Sequence, residues 1–406
     1  GTLGDDENSL NPTNLSRFVY AFSLFLIEKY GSTNIAIAVG RDGRESGEMF
    51  IKIVNDTLSS NGINVVNIDL NTTPTTQLVI IKKKLQGGIM LTASHNPKNW
   101  NALKFFNEKG EFLSHIDVNK ILKIEKSNLK SNTNLNDQGI IEDFKGSYDL
   151  HINEILNLKH VNSDIIRKKR FKIVVDGINS SGGIIIPKLL EALNVEVIKI
   201  NCIPDGNFAH DPEPLDKNLD QLKEEVLKSN SDLGIAVDPD VDRLVFVSEN
   251  GETISEENTL ISCADYILSK EKGSAVSNLS SSMGLRDLCK MYGVEYFSSM
   301  VGEINVVEKM KSVNAIIGGE GNGGIIYPES HYGRDALVGI GLLLTSLALK
   351  NKTISELFEK LPKYHMLKEK IKIDNDLDFI HIKNKLKSTF HNFSFNEIDG
   401  LKIENN

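Results

Sequence analysis

Three times in series, this chain alternates short unbroken apolar runs with longer stretches whose apolar residues return every three or four positions. A run such as Ile35-Ala36-Ile37-Ala38-Val39 suits a parallel strand covered on both faces, and the periodic stretches suit the helices that cover it. Parallel neighbours need crossover connections, so this pattern restricts the chain to layered α/β units. The first round reads as a helix from Leu15 to Leu26 ended by Gly31, strands at 35–39, 65–70 and 88–91, and helices at 46–60 and 75–84. The second places strands at 172–175, 196–200 and 233–237 with helices at 184–193 and 215–229. In the third, strands at 274–278, 295–298 and 315–317 alternate with helices at 282–292 and 304–313.

At 406 residues and 40% apolar side chains, the chain has room for about three domains. Its 46 basic and 55 acidic residues sum to −9, which argues against a nucleic-acid backbone as partner. Cys202, Cys263 and Cys289 are odd in number and form no C-x-x-C pair, so the reading is a reducing compartment with no disulfide or zinc framework. The longest apolar stretch, Val338 to Leu349, is about half the length a membrane-spanning helix needs. The segment Gly1 to Glu7 has no signal-peptide pattern and no start methionine, so the natural chain is expected to begin earlier.

A polar or glycine-rich loop follows the last strand of each round: Thr92-Ala93-Ser94-His95-Asn96-Pro97, Asp238-Pro239-Asp240-Val241-Asp242-Arg243, and Glu320-Gly321-Asn322-Gly323-Gly324. Ligands of open α/β sheets bind beyond the strand carboxyl ends, so the three loops are expected to wall one cleft. In the acidic loop, alternation lets an extended chain turn Asp238, Asp240 and Asp242 toward one point, a donor set suited to Mg2+ with positions left for water or phosphate oxygen. An EF-hand reading fails, because Arg243 stands where that loop needs glycine and Leu244-Val245-Phe246-Val247 continues as a strand. A haloacid-dehalogenase-type phosphatase would use Asp238 as nucleophile and Asp240 as acid, but its later G-D-x-x-x-D motif is not found. Ser94 alone reads better as part of a capping turn, and no G-x-S-x-G elbow supports acyl transfer.

Together the three loops, in that order and over nearly the whole chain, resemble the α-D-phosphohexomutases, which include phosphoglucomutase, phosphomannomutase and phosphoglucosamine mutase. The resemblance implies an α/β fold of three consecutive similar units with mixed, mostly parallel sheets around a central cleft, plus an incomplete fourth α+β domain. The implied divisions are 1–147 with the phosphoserine loop, 148–250 with the metal loop, 251–366 with the sugar loop, and 367–406, where the family's phosphate-binding loop rich in Arg, Ser, Gly and Thr is not in this sequence. Gly1-Thr2 resembles the tail of the family's Ser-Gly-x-Arg-Gly-Thr segment, whose arginine is likewise not in this sequence. Ser94 is implied to be phosphorylated, with Mg2+ held by its phosphate and by Asp238, Asp240 and Asp242. Its phosphate would pass to a sugar monophosphate, and the resulting bisphosphate would reorient and return the other phosphate. A phosphoserine dianion beside three carboxylates needs such a cation.

Only eight arginines occur against 38 lysines, and Arg41, Arg44, Arg243 and Arg334 lie in motif regions. Guanidinium groups match phosphate bidentately, so Arg243 is read as catalytic and Arg41 and Arg334 as substrate-binding, with Asp42 a ready structural partner for Arg41. Lys104 resembles the family's acid–base lysine, its pKa expected to be lowered by neighbouring cations, and His95 is read as orienting the phosphoserine. Gly319, Gly321 and Gly324 match G-x-G-x-x-G, yet Ile325-Ile326-Tyr327-Pro328 follows where a dinucleotide site needs a helix. Glu320, Asn322 and Gly302 are instead expected at the sugar, with glycines letting backbone come close. Asn322 and Gly324 stand where the family loop commonly has serine and histidine, a form that resembles the phosphoglucosamine mutase branch, with glucose and mannose phosphates as alternatives. The expected partner is a small sugar phosphate, with no nucleic acid and no membrane, in a cytoplasmic monomer or homodimer. The rival of a different class is a non-catalytic sugar-phosphate or metal-binding module.

Overall fold

Short strands apolar on both faces and long periodic helices assemble into three sheets of one plan. The computed structural model describes residues 1–6, 9–127, 138–364, 366, 367, 369, 371 and 378–405. The first sheet comprises β1 (Ala36–Arg41), β2 (Asn64–Leu70), β3 (Gly87–Leu91), β4 (Leu103–Phe106) and β5 (Ile141–Asp143) in the order β4-β3-β1-β2-β5. The second contains β6 (Lys172–Asp176), β7 (Glu196–Ile200), β8 (Leu233–Val237), β9 (Leu244–Ser248) and β10 (Thr253–Ile254), ordered β10-β9-β8-β6-β7. The third, β12-β11-β13-β14, is built from β11 (Ala275–Asn278), β12 (Tyr296–Ser299), β13 (Ile317–Glu320) and β14 (Gly324–Ile326). In each sheet the first strand is flanked in parallel by the second and third, and the fourth turns back antiparallel to the third. The serine, acidic and glycine loops are these three hairpin connections, at one equivalent corner of each sheet.

Helix α1 (Pro12–Tyr30) begins at Asn11, whose side chain accepts from the Asn14 amide, and ends at Gly31 with φ 63°. Its buried stripe of Leu15, Val19, Phe22 and Leu26 joins α2 (Gly47–Ser60) over one face of the first sheet, with α4 (His115–Lys126) against it and α3 (Thr73–Lys83) on the opposite face. Helices α5 (Ser147–Leu156) and α6 (Ser163–Lys169) lead to α7 (Gly182–Ala192) and α8 (Asp220–Ser229) on the second sheet. Around the third lie α9 (Glu256–Leu268), α10 (Gly284–Tyr292) and α11 (Glu303–Ser312).

The apolar stretch at 338–349 falls in α12 (Ala336–Lys350), buried through Leu347 and packed on α5, α6, α9 and β14. No helix among the described residues is long and apolar enough to cross a membrane. One apolar cluster running from Ile152 to Leu361 joins the second and third sheets, whereas the first sheet has a separate cluster on each face. Beyond α13 (Ile354–Phe358) follow α14 (Phe379–Thr389) and a hairpin of β15 (Ser394–Asn396) with β16 (Lys402–Glu404). Of the expected fourth unit at 367–406, residues 368, 370, 372–377 and 406 lie outside the described residues, as do Glu7 and Asn8 near the chain start.

Among the element boundaries that depart from the sequence reading, two have a plain local cause. The helix expected from Leu215 begins at Asp220, because Asp216-Lys217-Asn218 closes a tight 3₁₀ turn in which the Asn218 and Leu219 amides donate to the Leu215 and Asp216 carbonyls. The strand expected at 315–317 runs from Ile317 to Glu320, since pairing with β11 and β14 recruits the two glycines.

Candidate active site

The acidic loop focuses its carboxylates by turning, not by running extended. Val241 sits at φ 64°, a costly conformation for a β-branched residue, and its amide donates to the Asp238 carbonyl at 3.0 Å. Asp238 Oδ1 accepts from the Asp242 and Arg243 amides at 3.1 and 3.0 Å, so one carboxylate ties down the turn it begins. All three aspartates are fully buried, and each presents an oxygen within 4.8 Å of the others. Asp240 Oδ2 accepts from Lys104 Nζ at 2.6 Å and from Thr73 Oγ1, while Asp242 Oδ2 accepts from Lys104 at 3.0 Å and Arg334 Nη2 at 2.7 Å. The Oδ1 atoms of Asp240 and Asp242 are buried with no hydrogen-bond partner. Burying such oxygens unpaired is costly, and a hard divalent cation is the group that fits them.

Ser94, at φ 49°, donates its hydroxyl to Asp238 Oδ2 at 2.7 Å, so the first unit's loop meets the second's. His95 Nδ1 lies 3.4 Å from Ser94 Oγ, and its Nε2 lies 3.5 Å from Arg243 Nη2. Arg243 Nη1 donates to Glu213 at 2.8 Å, and its Nε is buried without a partner. His95, Asn96, Pro97, Asp211, Glu213, Lys217, Arg243, Glu256 and Asn322 line a cleft of about 690 Å³, so all three loops border one space.

The glycine loop reaches this cluster through Arg334, which bonds Asp242, Glu303 Oε2 at 2.9 Å and Glu320 Oε2 at 3.0 Å. Glu320 also accepts from Asn278 at 2.7 Å and from the Gly302 amide at 3.1 Å. Glu320, Gly302 and Arg334, expected at the sugar, are thus bonded to one another. Asn322 faces the cleft, with its Oδ1 accepting from the Gly324 amide. Gly323, at φ 87°, brings the loop against β9, where an added Cβ would stand 2.5 Å from the Leu244 carbonyl oxygen. That close approach is to the protein's own backbone.

Arg41 is not brought to the cluster. It bonds Asp69 at 2.7 Å and the Asp42 carbonyl, while the carboxylate of Asp42 pairs with Arg44 at 3.0 Å. The expected Arg41–Asp42 ion pair is therefore corrected to Arg44–Asp42.

Residues 1–131, 149–251 and 255–364 match, in that order, alpha/beta/alpha domains I, II and III of phosphoglucomutase/phosphomannomutase. A phosphoglucomutase/phosphomannomutase of Thermococcus kodakarensis is 32% identical over 99% of this chain and 88% of its own length. The phosphoglucosamine/phosphogalactosamine mutase of Sulfurisphaera tokodaii is 32% identical over 99% of this chain and 89% of its length. This chain belongs to the phosphoglucomutase/phosphomannomutase family. The crystal structure of a member from Burkholderia thailandensis shares its fold at TM-score 0.83 and 24% identity, covering 100% of this chain and 86% of that one.

This phosphohexomutase, an isomerase, surrounds its loops with groups the sequence reading missed. Thr73, Glu213 and Glu303 each bond a site residue from 167, 30 and 31 positions away, a separation that carries no local signal. Burial, then the charges of Asp242 and Asp240, push the Asp238 carboxyl well above its ordinary range. For Asp242 burial acts the same way, but Arg334, Lys104 and Arg243 outweigh it and hold the group below its usual value. Lys104 differs from expectation in sign. Burial disfavours its charge, yet Asp240 and Asp242 prevail and raise its pKa, because its nearest neighbours are carboxylates.

Proposed function

We propose that this phosphohexomutase interconverts the 6- and 1-phosphates of a hexose, glucosamine ahead of glucose or mannose, through a phosphorylated Ser94. The observation that carries the reading is the convergence of Ser94 Oγ with three buried aspartates, two of which keep an unpaired oxygen. Asp238, Asp240 and Asp242, with the Ser94 phosphate, would hold Mg2+, which when bound supplies charge neutralisation and polarisation of the phosphoryl group. The remaining work falls to the chain. The sugar hydroxyl oxygen bonds to phosphorus as the bond to Ser94 Oγ breaks, and the bisphosphate so formed reorients and returns its other phosphate to Ser94. Lys104, kept an ammonium by Asp240 and Asp242, stands as hydrogen-bond donor to the reacting oxygens, and the sugar hydroxyl's proton passes to Ser94 Oγ, beside which His95 stands. Arg243, with a buried unpartnered Nε in the cleft wall, is placed for phosphoryl oxygens, and Asn322 for a ring substituent.

The name of the Sulfurisphaera relative and the Gly-Glu-Gly-Asn-Gly-Gly loop favour an amino sugar. Incubating the full-length protein with Mg2+, a trace of hexose 1,6-bisphosphate and each 6-phosphate separately tests this. Conversion to the 1-phosphate, fastest for glucosamine, is expected. No conversion of any of the three, with Ser94 unmodified by mass, would defeat the reading.

A further inference from the structure

We infer that Arg44 and Thr92, joined through Asp42, are positioning residues that fix the backbone of Ser94 for phosphoryl transfer. This rests on the reading that Ser94 carries the transferred phosphate. Arg44 is 1% exposed and has five N–H donors, all of them spent. Its Nε donates to Asp42 Oδ2 at 3.0 Å. The other four reach carbonyls of one loop: Nη2 to Ser94 and Asn96 at 2.5 and 2.7 Å, and Nη1 to Pro97 and Trp100 at 2.7 and 3.0 Å.

On the other side of Ser94, its amide donates to Thr92 Oγ1 at 2.9 Å, and Thr92 donates to the same Asp42 Oδ2 at 2.7 Å. The bonds therefore close a ring through one carboxylate oxygen, with the amide and carbonyl of Ser94 both inside it. A serine at φ 49° needs such outside support, because the left-handed region is costly for a residue with a Cβ. With no donor left over, Arg44 does not grip a substrate phosphate, and its charge is balanced by buried Asp42. A lysine offers three donors on a flexible stem and cannot reproduce four carbonyl contacts.

The test uses the full-length enzyme and reads kcat, KM and the phosphate occupancy of Ser94 by intact mass after exposure to a hexose 1,6-bisphosphate. Thr92→Val keeps the shape but removes the acceptor for the Ser94 amide, so kcat is expected to fall about 100-fold, as for a reacting group displaced by about 1 Å, with KM unchanged. Thr92→Ser restores the oxygen and is expected to restore kcat, a rescue that a merely structural role would not require. Arg44→Lys is expected to lose kcat in the same way, and the threonine pair decides the matter if that variant fails to fold. A folded Thr92→Val with wild-type kcat, or a loss confined to KM, overturns the inference while leaving the phosphoserine reading intact. A wild-type enzyme that isomerises nothing and leaves Ser94 unmodified overturns both.

Discussion

Replacing Arg334 with methionine separates a structural cross-link from a substrate ligand. Arg334 is 8% exposed, and its guanidinium bonds three buried carboxylates, Asp242 at 2.7 Å, Glu303 at 2.9 Å and Glu320 at 3.0 Å. Arg334→Met keeps much of the volume and removes the charge, leaving three acids of which only Asp242 retains Lys104 as an ion-pair partner among the described residues. Removing one partner of a buried ion pair costs about 3–5 kcal/mol, and with three acids exposed to the loss the upper end is expected. Urea unfolding at pH 7.5 with chelator present measures it, and the second and third units, which share one apolar cluster, should unfold together.

The deficit has a pH dependence of definite sign. Burial raises the Glu303 carboxyl above its ordinary pKa, Asp242 adds to this, and Arg334 opposes it, so removing Arg334 raises it further. A group that binds its proton more tightly when folded loses stability as pH rises through the interval between its unfolded and folded values, so the variant's deficit should shrink on acidification. A loss below about 1 kcal/mol, the size of an exposed ion pair, would refute the burial argument and return Arg334 to the substrate.

Other outcomes follow from the same contacts. Asp240→Asn keeps an oxygen but not the charge, so most of the thermal stabilisation by Mg2+, about 2.7 kcal/mol at a hundredfold excess over Kd for the wild type, should vanish; equal stabilisation of both proteins would contradict the ligand assignment. Gly43→Ala would place a Cβ 2.8 Å from Ser180 Cα, where the first unit meets the second, and should depress kcat with the fold retained by circular dichroism. By NMR, His210 should titrate above its usual value, since burial lowers it but Asp176 and Asp211 together outweigh that, and His160 below it, through burial. Accordingly His210 adds stability below about pH 6.5 that is lost as pH rises through its folded value, and His160 adds stability at higher pH that is lost on acidification.

Local pattern made the corners of the sheets legible. Each third strand is an apolar run ending in a polar or glycine-rich loop, so the loops were placed correctly while the edge strands β5 and β10, three and two residues long, were too short to show a period. The three aspartates alternate within five residues and were read directly, but the turn at Val241 was not, because a valine at positive φ has no local signature. Partners from afar decided the rest. Lys104 reaches Asp240 across 136 positions and Arg334 reaches Asp242 across 92, so neither the sign of the lysine's shift nor the engagement of Arg334 was visible. The arginine pairing did have a signal. An aspartate opening a turn commonly accepts from the amide two residues on, as Asp42 does from Arg44, whereas Arg41 ends β1 and meets Asp69 of the neighbouring strand.

The central claim is that a hydroxyl from the first unit and three carboxylates from the second share one divalent cation. Crystals of the full-length protein grown with Mn2+ as an anomalous stand-in for Mg2+ test it directly. The account requires a single peak at about 2.1 Å from oxygens of Asp238, Asp240 and Asp242 and in contact with Ser94 Oγ or its phosphate. A cation bound elsewhere, or one held by the aspartates with Ser94 beyond coordinating reach, would contradict it.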